Sequence, residues 1–178
     1  AIKTVDICKE IQQQIQGANI KVCLTKSGKH FVNLFGLDEL QNEMKIEIYE
    51  DDTEWTQWKK RGDAVIHIEL RRWADILIIA PLSANTLAKL SNGICDNLLT
   101  SVFRAWNFEE KAVVMAPAMN TLMWHNSFTR SHLDKLQQVL DAEKQQRLFV
   151  VEPITKKLMC EEVGKGAMAT PHSIVQTA

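Results

Sequence analysis

Two segments of this sequence carry small and polar residues directly after an apolar run and a proline. The first is Ala-Pro-Leu-Ser-Ala-Asn-Thr at residues 80–86, and the second is Ala-Pro-Ala-Met-Asn at 116–120. They follow the largely apolar runs 75–79 and 111–115, which are typical of strands buried on both faces of a parallel sheet. Ligands of open α/β sheets bind outside the carboxyl ends of the strands. We therefore expect both segments to face one cleft, although the sequence leaves open whether the two strands are neighbours.

The polar residues of the first segment are of the types that bind an anion. Ser83, Asn85 and Thr86 stand where a predicted strand meets a predicted helix. The exposed N–H groups and the positive dipole end at the start of a helix favour phosphate oxygens. An ordinary helix N-cap uses the same residue types. Both interpretations are open at this point.

Size and charge narrow the class of protein. A chain of 178 residues with 46% hydrophobic content can bury one substantial core, so we expect a single domain over residues 1–178. Its 21 basic and 22 acidic side chains give a net charge of −1. Because a chain with almost no net charge has no overall positive potential to attract nucleic acid or an acidic membrane, neither is expected as a partner.

Targeting and metal signals are weak in this sequence. No apolar run approaches the roughly 20 residues that span a bilayer, and the amino terminus lacks the pattern of a secretory signal, so we expect a cytoplasmic protein. Cys8, Cys23, Cys95 and Cys160 are scattered without Cys-x-x-Cys spacing. We therefore expect thiols rather than a zinc site or disulfides.

Helix and strand patterns alternate along the chain. Hydrophobic spacing predicts helices within 2–15, 31–35, 70–74, 83–90, 95–106 and 128–140 and from 171, and strands within 20–25, 44–48, 75–79, 111–115 and 147–151. We predict an irregular segment at 55–62 and a flexible loop at Gly164-Lys165-Gly166. The alternation predicts a flavodoxin-like or Rossmann-like three-layer α/β fold with a mostly parallel sheet.

Several motifs resemble a known family. They are His-Ile-Glu-Leu-Arg-Arg-Trp-Ala-Asp at 67–75, Pro-Leu-Ser-Ala-Asn-Thr at 81–86, Gly-Ile-Cys-Asp-Asn-Leu-Leu-Thr at 93–100, Arg-Ala-Trp at 104–106 and Pro-Ala-Met-Asn-Thr-Leu-Met-Trp at 117–124. Together they resemble the phosphopantothenoylcysteine decarboxylases, which are flavin-dependent cysteine decarboxylases. The resemblance is strongest from 62 to 126 and resumes at Cys160 and at 164–169.

The resemblance implies an FMN-dependent, homotrimeric enzyme of coenzyme A synthesis. Such an enzyme converts 4'-phosphopantothenoylcysteine to 4'-phosphopantetheine and carbon dioxide. Loss of carbon dioxide from a cysteine carboxylate leaves a carbanion with no favourable place for its charge, so the cofactor has to supply an electron sink. In the family, FMN first oxidises the thiol end of the substrate and later reduces the resulting enethiol.

The resemblance also implies the catalytic residues. His67 would be the acid–base residue beside the substrate, a task that suits imidazole. Cys160 would donate the proton that enethiol reduction needs, from a segment preceding a glycine-rich stretch. Taken without the motifs, a lone histidine at an element boundary is more often structural, and a free cysteine is more often a small buried residue.

Three further residues are implied as substrate contacts. Asn120 can offer its amide N–H to the substrate carboxylate, and Arg72 can pair with a carboxylate or phosphate. Met159, beside Cys160, completes the set. By residue type alone, Asn120 could equally form a turn after a strand, and Arg71 with Arg72 could be a solvated pair.

The flavin cradle is implied at the ends of successive strands. Ala118 would let the flavin ring approach because its side chain is small. The residues implied in FMN binding are Thr25, Ser27, Ser83, Ala84, Asn85, Thr86 and Ala118. Each could instead serve as an ordinary cap or loop residue.

Two features depart from the family pattern. Family members open with a strand and a Gly-Ser-Val-Ala-Ala type loop that contacts the flavin phosphate, whereas this sequence begins at what would be the end of that loop. We therefore expect the first strand and part of the FMN cradle to be missing from it. After Cys160, the usual Gly-Asp is replaced by Glu161-Glu162, and we expect the flap there to close differently.

The sequence is also compatible with two other functions. Some relatives regulate a protein phosphatase and have lost catalytic positions, but His67, Asn120 and Cys160 are all present here. Other related flavoproteins decarboxylate a carboxyl-terminal peptidyl cysteine. The Leu-Arg-Arg-Trp context at 70–73 favours the coenzyme A branch by analogy.

Overall fold

The computed structural model describes residues 1–141, 147–157 and 163–178. Its elements, in chain order, are α1 (Thr4–Gln14), β1 (Lys21–Leu24), α2 (Lys26–Phe35), a π-helical turn (Glu39–Glu43), β2 (Glu47–Glu50), α3 (Asp51–Gln57), α4 (Ile66–Trp73), β3 (Ile76–Leu82), α5 (Ala84–Ser91), α6 (Leu98–Arg104), β4 (Ala112–Pro117), α7 (Thr121–Trp124), α8 (Ser127–Asp141), β5 (Leu148–Val150), β6 (Ile154–Lys157), β7 (Val163–Ala167) and α9 (Pro171–Thr177). Within the described ranges, none of the helices is both long enough and apolar enough to cross a membrane.

The chain divides into two compact units, each with its own sheet. The first unit consists of residues 1–73 and 95–105, and the second of 74–94 and 106–178. Each unit contains one parallel sheet, and the second unit also contains a separate two-stranded antiparallel sheet, β6-β7. The prediction of an α/β fold with a mostly parallel sheet is therefore confirmed.

In the first unit, β1 and β2 pair in parallel and helices cover them. Lys21 lies opposite Glu47, and the register continues along both strands. The core beside this sheet contains Val5, Cys8, Val22, Leu24, Val32, Leu40 and Ile46. The helical spacing predicted at the start of the chain is confirmed, because α1 buries its apolar face in this core.

Burial also controls the thiol chemistry of the first unit. Cys8 is buried, and loss of hydration raises the pKa of its thiol to about 12, because the charged thiolate is the form that burial penalises. Cys95 is an exposed free thiol. Both are free cysteines in the structure.

In the second unit, β4 is the central strand of a parallel sheet. The order is β3-β4-β5, with Ile76 opposite Ala112 and Val113 opposite Leu148. Val113 is fully buried, as are the next three residues of β4, which confirms the double burial predicted from the apolar run. Because β3 and β4 pair directly, the two segments singled out in the sequence follow neighbouring strands.

Three local predictions differ from the structure, two of them only in their bounds. The segment predicted as irregular begins in a helix, α3, which a capping box between Glu50 and Thr53 initiates. The strand predicted within 44–48 lies at Glu47–Glu50 instead, because a π-helical turn occupies 39–43 and Lys45 adopts a positive φ of 56°. The strand is displaced by only a few residues along the sequence, and it pairs in parallel with β1.

The third prediction, a flexible loop at Gly164-Lys165-Gly166, is wrong. These residues lie inside β7, which pairs antiparallel with β6. The glycines are needed there because neighbouring chain approaches closely, a recognised use of glycine within a strand. A Cβ on Gly166 would lie only 2.2 Å from the carbonyl oxygen of Met119.

Candidate functional site

The turn from β1 into α2 is built around a threonine cap. Thr25 has extended backbone angles (φ −70°, ψ 160°), and its side chain accepts a hydrogen bond from the Gly28 N–H at 3.2 Å. Ser27 is exposed on the first turn. That turn lies wholly in the described part of the chain and contains no carboxylate. An anion would therefore meet N–H and hydroxyl donors on a turn that carries no carboxylate of its own.

The turn from β3 into α5 repeats this arrangement in the second unit. Ser83 caps the helix with φ −74° and ψ 157°, and its Oγ accepts from the Thr86 N–H at 3.2 Å. Asn85 is exposed, whereas Ala84 and Thr86 are half-buried. The described first turn of α5 again has no acidic residue. The donors at the start of α5 thus suit a phosphate or the polar edge of a flavin.

The end of β4 lies beside the end of β3. The Ala118 N–H donates to the carbonyl oxygen of Leu82 at 2.9 Å, and Leu82 is paired in register with Pro117. Ala118, directly after the strand, is thereby adjacent to the residue that precedes the Ser83 cap. This contact confirms the expectation that the two segments reach the same edge of the sheet.

Asn120 caps the short helix α7 and is oriented by that role. Its Oδ1 accepts a hydrogen bond from the Leu122 N–H at 2.8 Å. With the oxygen held on the helix, the amide NH₂ is directed away from that bond and is the donor end of the group. Asn120 is half-buried. The geometry therefore permits the donor role that the sequence predicts, together with the turn-forming role that was its alternative.

The hairpin strand β7 packs directly on the backbone around Asn120. The Met119 N–H donates to the carbonyl oxygen of Gly166 at 3.0 Å. A Cβ on Gly164 would lie 2.2 Å from the Thr121 Oγ1, as close as the Gly166 contact with Met119. These two glycines were not recognised as site residues in the sequence. Their alternation with Lys165, a pattern that fits a strand with close backbone approach, was the signal available.

His67 and Arg72 lie on α4 in the first unit. His67 is the second residue of that helix and is half-buried, while Ile66 and Leu70 anchor the helix in the core. Arg72 is exposed and donates from Nη1 to Glu69 Oε1 at 3.0 Å. Arg71 is the more buried of the two arginines.

The structure brings together some of the predicted site residues within each unit. In the second unit, the Ser83 cap of α5 and Ala118 lie at the carboxyl ends of the neighbouring strands β3 and β4. Asn120 follows Ala118 in the connection that leaves β4. In the first unit, Thr25 and Ser27 form the β1–α2 turn, and His67 and Arg72 share α4. Met159 and Cys160 lie outside the described residues, as do Glu161 and Glu162.

Taken separately in each unit, the donors at the strand ends are of the kind that binds an anionic group. Caps, backbone N–H groups and small side chains line the strand ends, and carboxylates are absent from the described first turns of α2 and α5. Across residues 1–141, 147–157 and 163–178, no cluster of three or more His, Cys, Asp or Glu side chains is arranged to hold a metal ion. The residues present therefore fit a phosphate-bearing group such as FMN.

Comparison with known proteins gives a consistent family. A family model described as Flavoprotein matches residues 1–178. The chain is 46% identical over 177 residues to a phosphopantothenoylcysteine decarboxylase of Oryza sativa subsp. japonica, covering 99% of this chain and 73% of that protein. It is 48% identical over 160 residues to one of Arabidopsis thaliana, covering 90% of this chain and 70% of that protein.

Solved structures agree with the sequence comparisons. A PPC decarboxylase mutant complexed with pantothenoylaminoethenethiol superimposes with a TM-score of 0.85 at 45% identity, covering 99% of this chain and 88% of that chain. The FMN binding protein AtHal3 superimposes with a TM-score of 0.81 at 45% identity, covering 99% of this chain and 86% of that chain.

Proposed function

The chain belongs to the flavoprotein family, and from this premise we propose that it is an FMN-dependent decarboxylase that converts 4'-phosphopantothenoylcysteine to 4'-phosphopantetheine and carbon dioxide. One observation carries the proposal. The carboxyl ends of β3 and β4, joined by the Ala118–Leu82 hydrogen bond, bring an anion-binding cap and Asn120 to one strand edge. They do so in a chain 45% identical to a PPC decarboxylase complexed with pantothenoylaminoethenethiol.

Uncharged donors at the strand ends would hold FMN. The residues that would hold it are Thr25 and Ser27 at the β1–α2 turn, Ser83 to Thr86 at the β3–α5 turn, and Ala118 after β4. When bound, FMN supplies the electron sink that decarboxylation of a cysteine requires. The chain's own part is to bind and orient the two molecules and to move protons.

His67 moves a proton at its imidazole beside the substrate. Its support is the family motif at 67–75 and a half-buried place on α4, which Ile66 and Leu70 fix in the core. General acid–base catalysis by a positioned side chain typically contributes about 10²- to 10⁴-fold. Loss of His67 should therefore be visible in turnover while the protein remains folded.

Asn120 and Arg72 recognise the charged groups of the substrate. The Asn120 amide N–H donates to the carboxylate, and its Oδ1 is held by the Leu122 N–H. Arg72 pairs with a carboxylate or phosphate, exchanging its exposed contact with Glu69 for the substrate. Exposed ion pairs contribute only about 0–1 kcal/mol, so that exchange costs little. Met159 and Cys160 keep the roles that the resemblance gives them, as substrate contact and as proton donor for enethiol reduction.

The assembly and location form part of the proposal. The enzyme is a cytoplasmic homotrimer whose sites are assembled where subunits meet. Apolar side chains close to Asn120 in the sequence support an interface, since Leu122 is 78% exposed and Phe128 is 72% exposed in the single chain. Light scattering on the purified protein tests the trimer, and a mass of one chain would refute it.

Residues 1–178 form one flavoprotein domain in this proposal. The unbroken match of the family model over the whole chain supports it. Urea unfolding followed by fluorescence and by circular dichroism should give coincident, single transitions. Two separate transitions would show that the two compact units fold independently.

Turnover of the purified protein tests the proposed function. With FMN, the protein should be yellow and should release carbon dioxide from phosphopantothenoylcysteine. A His67→Asn variant should retain its colour and lose about 100-fold or more of that activity. Colourless protein in excess FMN, with the substrate intact, would refute the proposal. Undiminished turnover in the variant would remove His67 from its role.

Two competing activities are measured in the same preparation. A peptide ending in cysteine tests the peptidyl-cysteine decarboxylases, and we expect turnover far below that of phosphopantothenoylcysteine. Phosphatase inhibition tests the regulatory alternative, and tight inhibition without carbon dioxide release would reverse the ranking of these functions.

A further inference from the structure

Thr129, a residue outside the recognised motifs, lies against both ends of the segment that carries Asn120. It is the third residue of α8 and only 5% exposed. Its hydroxyl donates to the carbonyl oxygen of Met123 at 2.6 Å and lies 3.7 Å from the Met119 Sδ. One buried hydroxyl thus contacts the residue before Asn120 and the residue three positions after it.

The helix between these two contacts depends on outside support. α7 has four residues, and a helix this short is not stable by itself in water. Its amino end is held by the Asn120 cap on the Leu122 N–H. Near its carboxyl end, the Met123 carbonyl accepts from Thr129 at 2.6 Å and, with a longer bond of 3.3 Å, from the Asn126 N–H.

The orientation of the Asn120 amide follows from the position of this turn. The position of α7 fixes the direction of the Leu122 N–H, and the hydrogen bond from this N–H fixes the position of the Asn120 Oδ1. If α7 moves, the oxygen moves with it, and so does the NH₂ at the other end of the same planar amide. β7 holds the amino side of the segment, through the bond from the Met119 N–H to the Gly166 carbonyl oxygen and through the close approach of Gly164 to Thr121.

We propose that Thr129 is a positioning residue for Asn120: its hydroxyl holds the α7 turn, and through that turn the direction of the amide N–H toward the substrate carboxylate. The inference rests on the proposed function, which assigns Asn120 its contact. Thr129 itself does not touch the substrate in this scheme. Its effect is therefore on recognition of the group that leaves, and not on the binding of FMN or of the phosphopantetheine moiety.

Three variants of the full chain test the inference. Thr129→Val keeps the shape of the side chain and removes the donor, whereas Thr129→Ser keeps the hydroxyl. Ser91→Ala is the matched control, since Ser91 is also buried in the second unit and donates to the Ala88 carbonyl at 3.0 Å. We expect Thr129→Val to lower kcat/KM for phosphopantothenoylcysteine between about 10- and 100-fold, because small misplacements cost this much. Thr129→Ser should keep most of the wild-type kcat/KM, and Ser91→Ala should have the kcat/KM of the wild type.

Two readouts separate positioning from general damage. Inhibition by 4'-phosphopantetheine, which lacks the carboxylate, should be unchanged in Thr129→Val, as should FMN absorbance. In an Asn120→Ala background, adding Thr129→Val should cause no further loss, because the residue through which it acts is gone. If Thr129→Val does not fold, Thr129→Ala is measured by the same criteria.

Particular outcomes overturn the inference. They are a wild-type rate in Thr129→Val, weakened inhibition by 4'-phosphopantetheine equal to the loss in kcat/KM, or a full additional loss in the Asn120→Ala background. Each presupposes a wild-type protein that releases carbon dioxide. If the wild type does not, the proposed function fails, and that failure is distinct from failure of the Thr129 assignment.

Discussion

The turn from β1 into α2 and the turn from β3 into α5 have nearly the same local geometry in different surroundings. Their caps, Thr25 and Ser83, differ by only a few degrees in φ and ψ, and each accepts from the N–H three residues later at 3.2 Å. Four residues after the cap, however, α5 has the fully buried Leu87, whereas α2 has Lys29, which pairs with Glu50.

The outer face of α2 sharpens the contrast. Phe31, Leu34 and Phe35 are exposed on it, and Val32 is its buried anchor. In α5, Leu87 and Leu90 are both buried and the helix packs on α8. A cap sets the direction in which a helix starts, but packing sets how firmly that start is held. The β3–α5 turn should therefore be the more rigid of the two proposed FMN contacts.

The largest expected effect compares two leucines. Leu87→Ala in α5 should lower the free energy of unfolding by about 2–5 kcal/mol, because it leaves a cavity beside a fully buried site. Leu34→Ala in α2 removes the same atoms from a side chain that is 63% exposed. It should change the free energy of unfolding by less than about 0.5 kcal/mol. Urea unfolding measures both, and equal losses would mean that α2 is as firmly packed as α5.

Two glycines give the next effect. Gly166→Ala should lower the free energy of unfolding by about 1–3 kcal/mol. The added Cβ would lie 2.2 Å from the Met119 carbonyl oxygen, so β7 would have to move. Gly28→Ala in α2 meets only the Thr25 Oγ1, at 3.3 Å, and gains helix propensity, so it should stay within about 1 kcal/mol of wild type. Thermal unfolding compares them; a stable Gly166→Ala would show that β7 is not closely packed on Met119.

The caps themselves should have similar, smaller effects. Ser83→Ala and Thr25→Ala each remove one cap acceptor of the same geometry, so each should cost about 1 kcal/mol of stability. Adding FMN should then stabilise either variant less than it stabilises wild type, because the stability that a ligand adds rises with the logarithm of the ratio of its concentration to its Kd. Differential scanning fluorimetry with and without FMN measures this. A stabilisation by FMN that is unchanged in both would remove the two turns from the flavin site.

The smallest effect concerns an exposed ion pair. Lys165 pairs with Glu152 in the second unit, and the hydrogen bond and charge of the ammonium hold the pKa of that carboxyl below its ordinary value. A lowered pKa means that the pair stabilises the fold above that value and that its contribution is lost as the pH falls through the folded pKa. Glu152→Gln should therefore be slightly less stable than wild type at pH 7 in low salt, and equal to it once the pH is below the folded pKa of Glu152 or in 1 M salt. Urea midpoints at the three conditions measure this, and a difference that survives 1 M salt would contradict an electrostatic origin.

Local sequence signals were sufficient for most elements and for the caps. The runs before Pro81 and Pro117 predicted β3 and β4, and the helical spacing at 83–90 predicted α5. These signals succeed because hydrophobic periodicity and capping depend on residues within one or two turns of each other. The motif at 117–124 likewise singled out Asn120, whose cap on Leu122 is a contact over two residues.

Long-range contacts decided what the sequence left open. That β3 and β4 are neighbours, that Gly166 lies against Met119 and that Thr129 reaches Met123 are facts of pairing and packing, invisible to a local pattern. The loop predicted at 164–166 failed for this reason: glycine is favoured both where a chain is unconstrained and where a neighbour leaves no room for a Cβ. Residue type and spacing therefore defined the local elements and the candidate chemistry of this chain, whereas the arrangement that orients Asn120 exists only once distant segments pack together.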